Sequence, residues 1–331
     1  MSVATFDVEP YVAWAIAGAP AIARTTLGGT EVARSVAETL RGTIRQRTDP
    51  AWAEGYRRAL TVPGAEADTY LLREVALDGG ARVLAGIHFY GGDVAKPFVG
   101  VLAQTRELTA EERLAATDVL CDAFAALGPA TFAPAAVWWW VGGHPTAPAV
   151  TGRLVEDQRL LVGSIPALVD HFDEPADAPF TLRRDDSAAS YDAYVRLFEA
   201  FLAANQSWRG RLARSERDAF EACAGAGGLF AVEHGGRMAG VFAARPGEMH
   251  GIPGWLVEEE LLGDALRGRG LAPTLQRMAL ARLDTNAHPL VMGTIHAANA
   301  PSLRTALRVG RSDVGGWVFV RDPRRDAAWL R

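Results

Sequence analysis

Hydrophobic and polar positions recur with two different periods along this chain, and the changes of period mark its elements. Over residues 1 to about 65 apolar residues return at three- and four-residue spacing. That predicts helices over Tyr11 to Ala23, Thr30 to Arg45 and Ala51 to Leu60, broken at Gly28-Gly29 and Asp49-Pro50. Strand formers then fill Thr69 to Leu77 and Arg82 to Tyr90, with Asp78-Gly79-Gly80 between them as a hairpin turn. Pro97 to Thr105 predicts a third strand. Thr109-Ala110-Glu111-Glu112 has the residues of a capping box, so a helix starts there and runs to about Leu127. Ala136 to Val141, with three tryptophans, predicts a buried strand in which the indoles are core. From Gly142 to Asp186 the pattern weakens to a Pro/Ala-rich loop, a strand pair around Arg153 to Ile165 and the acidic stretch Asp170 to Asp177.

The second half repeats the programme. Phe180 to Arg184 predicts a strand, and Tyr191 to about Ala204 a helix with Tyr194, Leu197, Phe198, Phe201 and Leu202 at helical spacing. Another helix begins at Ser215-Glu216-Arg217-Asp218. Leu229 to Glu233 and Met238 to Ala244 flank His234-Gly235-Gly236-Arg237 as a second hairpin, and Pro246-Gly247 turns the chain towards a strand over Trp255 to Leu262. Gly79-Gly80 answers Gly235-Gly236, and Ala85-Gly86 answers Ala239-Gly240. The expected fold is therefore α/β, a mixed sheet in two tandem domains, residues 1–177 and 178–331. An unrelated α/β domain is the alternative for the first.

Candidate chemistry concentrates in Leu266-Arg267-Gly268-Arg269-Gly270-Leu271-Ala272-Pro273, between that last strand and a helix running to about Leu283. Pro273 suits a first helical turn, where a missing N–H costs nothing. The glycines allow a concave turn, and a helix N-terminus offers free N–H groups to a phosphate or pyrophosphate. Arg267 and Arg269 supply charge. A Walker-type loop would need Lys followed by Ser or Thr, which is absent, and a dinucleotide fingerprint would need a third glycine where Pro273 stands.

The stretch resembles the acyl-CoA-binding loop of the GNAT superfamily of N-acyltransferases, Gln/Arg-x-x-Gly-x-Gly/Ala, read here at Arg267, Gly270 and Ala272. The downstream order matches as well: a helix from Thr274, a strand over Leu290 to Ile295, Asn299-Ala300-Pro301-Ser302, then Leu303 to Gly310. The resemblance covers about residues 180 to 320 and is faint over 65 to 145. It implies that acetyl-CoA, or another acyl-CoA, lies in a V-shaped gap between two parallel strands. Backbone of the first strand, down to Leu262, would hold the pantetheine. The N–H groups of Gly268, Arg269, Gly270, Leu271 and Ala272 would hold the pyrophosphate, beside Arg267, Asn299 and Ser302. An amine, on a small molecule or a peptide, would attack the thioester directly. In the first half Gln104-Thr105-Arg106-Glu107-Leu108 replaces the glycines, so no CoA is expected there.

Direct attack needs a neutral amine and a base. Glu258-Glu259-Glu260 lies on the first of the two strands, where alternation would put Glu258 and Glu260 on one face and Glu259 on the other. They line a cleft, as catalytic carboxylates, or stand solvated at its mouth. His250, near a turn, is a weaker, surface candidate. Trp208 stacks on a ligand or anchors its loop. Where many GNAT members carry a Tyr as general acid this chain has Ala306, and Arg311 replaces the usual aromatic after the terminal glycine. Arg308 or Arg311 meets the adenosine phosphate or belongs to a solvated face. Ala306 favours an alternative function, a non-catalytic acyl-CoA-binding or scaffold module.

Composition narrows the partners. With 331 residues, 49% of them hydrophobic, the chain is globular and long enough for two cores. Its formal charge of −5 argues against nucleic acid. The apolar run near Ala13 to Ala23 is too short to span a membrane and follows acidic Asp7 and Glu9, so a cytoplasmic protein with no membrane partner is expected. Cys121 and Cys223 are read as buried reduced thiols, and His288 and His296 lack companions at any metal-ligand spacing, so no metal is expected. The sequence leaves the oligomeric state open.

Overall fold

The computed structural model describes residues 7–129, 133–143 and 152–330. The first part of the chain forms α1 (Glu9–Ala17), α2 (Ala21–Leu27), α3 (Gly29–Arg47) and α4 (Pro50–Leu60), then β1 (Arg73–Ala76), β2 (Arg82–Phe89), β3 (Pro97–Gln104), α5 (Ala110–Ala125) and β4 (Ala136–Gly142). β5 (Leu154–Ser164) and α6 (Ile165–Val169) follow, then β6 (Thr181–Arg184), α7 (Tyr191–Ala204), α8 (Arg217–Gly225), β7 (Leu229–His234) and β8 (Arg237–Met249). The chain closes with β9 (Ile252–Leu262), α9 (Ala272–Leu280), β10 (Leu290–His296), α10 (Ala300–Val309) and β11 (Ser312–Arg321). Asp49 caps α4, and Thr109 and Glu112 complete the predicted capping box on α5.

All of these strands join one sheet, in the order β1-β2-β3-β4-β11-β5-β10-β9-β8-β7-β6. Most neighbours are antiparallel. Two are parallel, and each touches over only two residue pairs: Val99↔Val137 and Gly100↔Trp138 between β3 and β4, and Trp255↔Val291 and Leu256↔Met292 between β9 and β10. Beyond those pairs the strands part. In both places a register shift against the preceding strand leaves one residue unpaired, Leu102 on β3 and Glu258 on β9. The two halves of the sheet thus share a register. It aligns Ala85 with Ala244, and not with Ala239 as the sequence pattern had it.

The expected boundary near residue 178 falls between α6 and β6, yet β5, which precedes it, lies between β10 and β11. β11 in turn completes the edge of β4, pairing along Ala136 to Gly142. Each half is finished by the other's last strand.

Alternation along the strands puts one helical layer on each side. Leu290 and Met292 of β10 pack with α2 and α3, while Val291 meets α9. On β11, Trp317 faces the α2–α3 side and Val318 and Val320 face α5. α7 and α8 cover Leu229, Val241, Ala243 and Leu261. Cys121 and Cys223 are free and buried.

Several expectations need correcting. The residues from Arg153 to Ile165 form one long strand rather than a pair. β8 runs straight through Pro246-Gly247, and the chain turns instead at His250-Gly251, both with positive φ (53° and 75°). Helix Tyr11 to Ala23 is interrupted at Gly18. No strand was expected at β11. Part of the predicted Pro/Ala-rich loop, residues 144–151, lies outside the described residues.

Candidate active site

β9 and β10 separate after Leu256 and Met292, because β9 stays bonded to β8 and β10 to β5. Backbone groups on the facing edges of the gap are therefore left without a strand partner. At its far end the chain turns through Gly263, whose carbonyl accepts from the N–H of Leu266 and Arg267. Gly268 and Gly270 both have positive φ, 75° and 73°, with open space where a side chain would begin. Among the described residues, the N–H groups of Gly268, Arg269, Gly270, Leu271, Ala272 and Thr274 donate to no protein acceptor. These donors, alternating with left-handed glycines and leading into α9, form an anion-sized concavity.

The arginines do not behave alike. Arg267 turns back into the loop, donating to the Leu262 carbonyl from Nε (3.2 Å) and Nη2 (2.8 Å) and to Asp264 Oδ1 (2.7 Å), with its guanidinium over the Phe201 ring. It holds the loop in shape. Arg269 is exposed, with one 3.3 Å bond to the Ala265 carbonyl. Asn299 caps α10, its Oδ1 accepting from Ser302 N at 3.3 Å, and Gly310 ends that helix in the left-handed region.

The acidic run departs from simple alternation. Because Glu258 is the unpaired residue of the bulge, Glu258 and Glu260 do not share a face. Glu258 forms an ion pair with Arg245 on the neighbouring β8 (2.8 Å). Glu259 accepts from Tyr194 Oη of α7 at 2.5 Å, and burial raises its pKa. Glu260 points to the other side and accepts from Gln276 Nε2 of α9 at 2.5 Å. Burial pushes Glu260 up to about 7, against the opposing pull of its Gln276 bond and of Arg311.

Arg311 is neither solvated nor directed at the loop. It is 4% exposed and crosses beneath the gap, with Nη2 donating to the carbonyls of Leu161 (2.8 Å) and Gly293 (3.4 Å). Its Nε and the Oε1 of Gln276 are buried without partners among the described residues. Ala306 is fully buried, so nothing at that position reaches the gap as an acid. On the opposite face the T-shaped pair of Trp208 and His296 (5.7 Å) stands near the end of β10. Asp157, the unpaired residue of a second bulge on β5, accepts from Trp138 Nε1 and is raised by burial.

Sequence reasoning missed Tyr194, Gln276 and Arg311 as neighbours of the acids. Tyr194 was visible only as part of an apolar stripe, and Gln276 only as a helical polar residue. No group of three or more His, Cys, Asp or Glu among the described residues is placed to hold a metal ion. None of the described helices is long and apolar enough to cross a membrane.

Two parallel strands that splay, a glycine turn with free N–H groups, a helix, and an Asn-capped helix ending in Gly follow one another as the resemblance implied. The fold is GNAT-like. No family model matches the chain, and no curated protein does. Among solved structures it is similar to a GCN5-related N-acetyltransferase from Kribbella flavida, at 14% identity over 85% of this chain and 98% of that one, with a TM-score of 0.43. It is also similar to a GCN5-related N-acetyltransferase from Sphaerobacter thermophilus (17% identity, 74% and 78% covered, TM-score 0.42). A GNAT-family acetyltransferase from Colwellia psychrerythraea is similar too (9% identity, 72% and 85% covered, TM-score 0.42).

Proposed function

We propose that this chain is an acyl-CoA-dependent N-acyltransferase, using acetyl-CoA or a related thioester, with its one cofactor site in the gap between β9 and β10. The observation that carries the reading is the row of free N–H groups from Gly268 to Ala272 at the mouth of that gap. A pyrophosphate there would meet backbone donors and the positive end of α9. The pantetheine would extend along β9 from Leu262, and Asn299 and Ser302 would border the adenosine end. The amine of a small molecule or peptide then attacks the thioester carbonyl, the C–S bond breaks, and the thiolate leaves. The ammonium proton must go to a base. Glu260 suits that role best, since a carboxyl near 7 holds and yields a proton at neutral pH. Glu258 is a weaker candidate than the sequence implied, since Arg245 already engages it. Glu259, bonded to Tyr194, is a further one.

Calorimetric titration with acetyl-CoA tests the site. About one equivalent should bind per chain, and Gly270→Asp, which places a carboxylate in the anion concavity, should abolish binding. Absence of binding by the intact protein removes the reading. Ala306, buried where a general acid is expected, favours a second reading, an acyl-CoA-binding module without catalysis. That module would bind acetyl-CoA yet release no thiol with any of a panel of amines.

A further inference from the structure

A cavity of about 300 Å³ lies away from the β9–β10 gap, between the α1–α3 layer and the sheet. Trp138, Trp140 and Trp317 form its aromatic wall. Trp138 stacks on Trp317 (5.2 Å, 7° between planes), and Trp140 meets Trp317 edge-on at 4.9 Å. His250, read from the sequence as a surface residue near a turn, is exposed but lays its ring against Trp140 (4.6 Å) and Trp317 (5.2 Å) at the cavity's rim. Leu40, Leu160 and Ile252 add aliphatic surface.

Into this apolar space comes one cation. Arg47, the last residue of α3, lines the cavity beside Thr43. The one hydrogen-bond neighbour of its guanidinium among the described residues is His88 Nε2, 3.1 Å from Nη1. Burial and the adjacent guanidinium hold His88 neutral, with its pKa down to about 3, so it brings no negative charge. The other groups facing Arg47 are neutral too: the Trp52 ring, 5.9 Å away, and the Tyr56 phenol, whose pKa burial raises. No Asp or Glu pairs with Arg47 among the described residues, and none of residues 1–6, 130–132, 144–151 and 331 carries an acidic side chain. The negative end of α3 offsets about half a charge at most. An under-compensated guanidinium in an apolar pocket is costly, and a bound anion relieves that cost by a forked, charge-assisted contact.

We propose that this cavity binds a small carboxylic acid with a flat apolar body, its carboxylate on Arg47 and Thr43 and its body against Trp138, Trp140 and Trp317. Gly100 leaves room beneath for the His88 ring, which keeps Arg47 directed into the cavity. An aromatic wall alone would also suit a quaternary ammonium. Arg47 decides against a cation. The site stands apart from the acyl-transfer reading and needs no CoA.

Three probes of one shape test it by calorimetry or tryptophan quenching: 2-naphthoate, 2-naphthamide and 2-naphthylmethylammonium. Naphthoate should bind once per chain, at least about tenfold tighter than the amide. In Arg47→Met that preference should vanish while amide affinity stays, and Arg47→Lys should keep part of it. Trp140→Ala should weaken acid and amide alike, which keeps the test readable if Arg47→Met does not fold. Equal binding of acid and amide, tightest binding of the ammonium, or no saturable binding of any probe each overturns the proposal.

Discussion

Glu260 is the residue whose protonation carries most consequence. Protonated below about 7, it cannot accept a proton from the amine, so turnover should rise with pH through about 7. In a thiol-release assay Glu260→Gln should lose that limb and most of the rate while still binding acetyl-CoA. Glu258→Gln should cost much less, because its partner is Arg245. An unchanged pH profile in Glu260→Gln would remove Glu260 as the base. The same shift acts on stability. The folded chain holds this proton more tightly than the unfolded chain, whose ordinary value is 4.5, so stability falls as pH rises from about 4.5 to about 7. Denaturant unfolding of Glu260→Gln should lack that fall. Little of this was legible beforehand: three consecutive acids gave the location, but only the bulge shows which faces they take. At the loop the sequence said more, because two glycines before a proline-started helix leave few backbone options. Gly270→Ala should cost about 1 kcal/mol from the left-handed backbone alone, readable in its denaturation midpoint.

Among elements, helix prediction fared better than strand prediction. α7 spans Tyr191–Ala204 as expected, because its buried Tyr194, Phe198 and Leu202 repeat at one-turn spacing. β11 was not among the expected strands, and Gly315-Gly316 interrupts its run of strand formers. The glycines are there because the Trp140 ring and the Val141 carbonyl press on Gly315, and the Gln158 carbonyl and Arg159 press on Gly316, leaving no room for a Cβ at either. β5 and β11 are joined by more than their ladder. Arg159, 2% exposed, donates to both Asp313 oxygens (2.6 and 3.0 Å) and to the Gly143 carbonyl. Asp313→Ala would leave that guanidinium buried and uncompensated, and should lower unfolding free energy by about 3–5 kcal/mol. A loss under about 1 kcal/mol would mean that water reaches Arg159.

For the molecule as a whole, the sequence pattern suggests a repeat with a boundary near residue 178 but gives no sign of the crossing of strands, since pairing partners more than a hundred residues apart leave no local signature. The crossing makes a direct prediction. Residues 1–177 and 178–331 expressed separately should each lack a cooperative thermal transition, because each lacks the strand that covers its sheet. Co-expressed, they should copurify as a folded pair. A sharp transition in either fragment alone would show that its half folds independently.

The shared middle of the sheet also sets a timetable for synthesis. β4 emerges from the ribosome well before its partner on one side, residues 312–321, which follow about 170 residues later. At ordinary elongation rates that wait is on the order of ten seconds. During it, a row of tryptophan-bearing backbone is an open edge that another nascent chain can pair with. The nascent protein should therefore depend on holding factors that occupy β4 until β11 arrives.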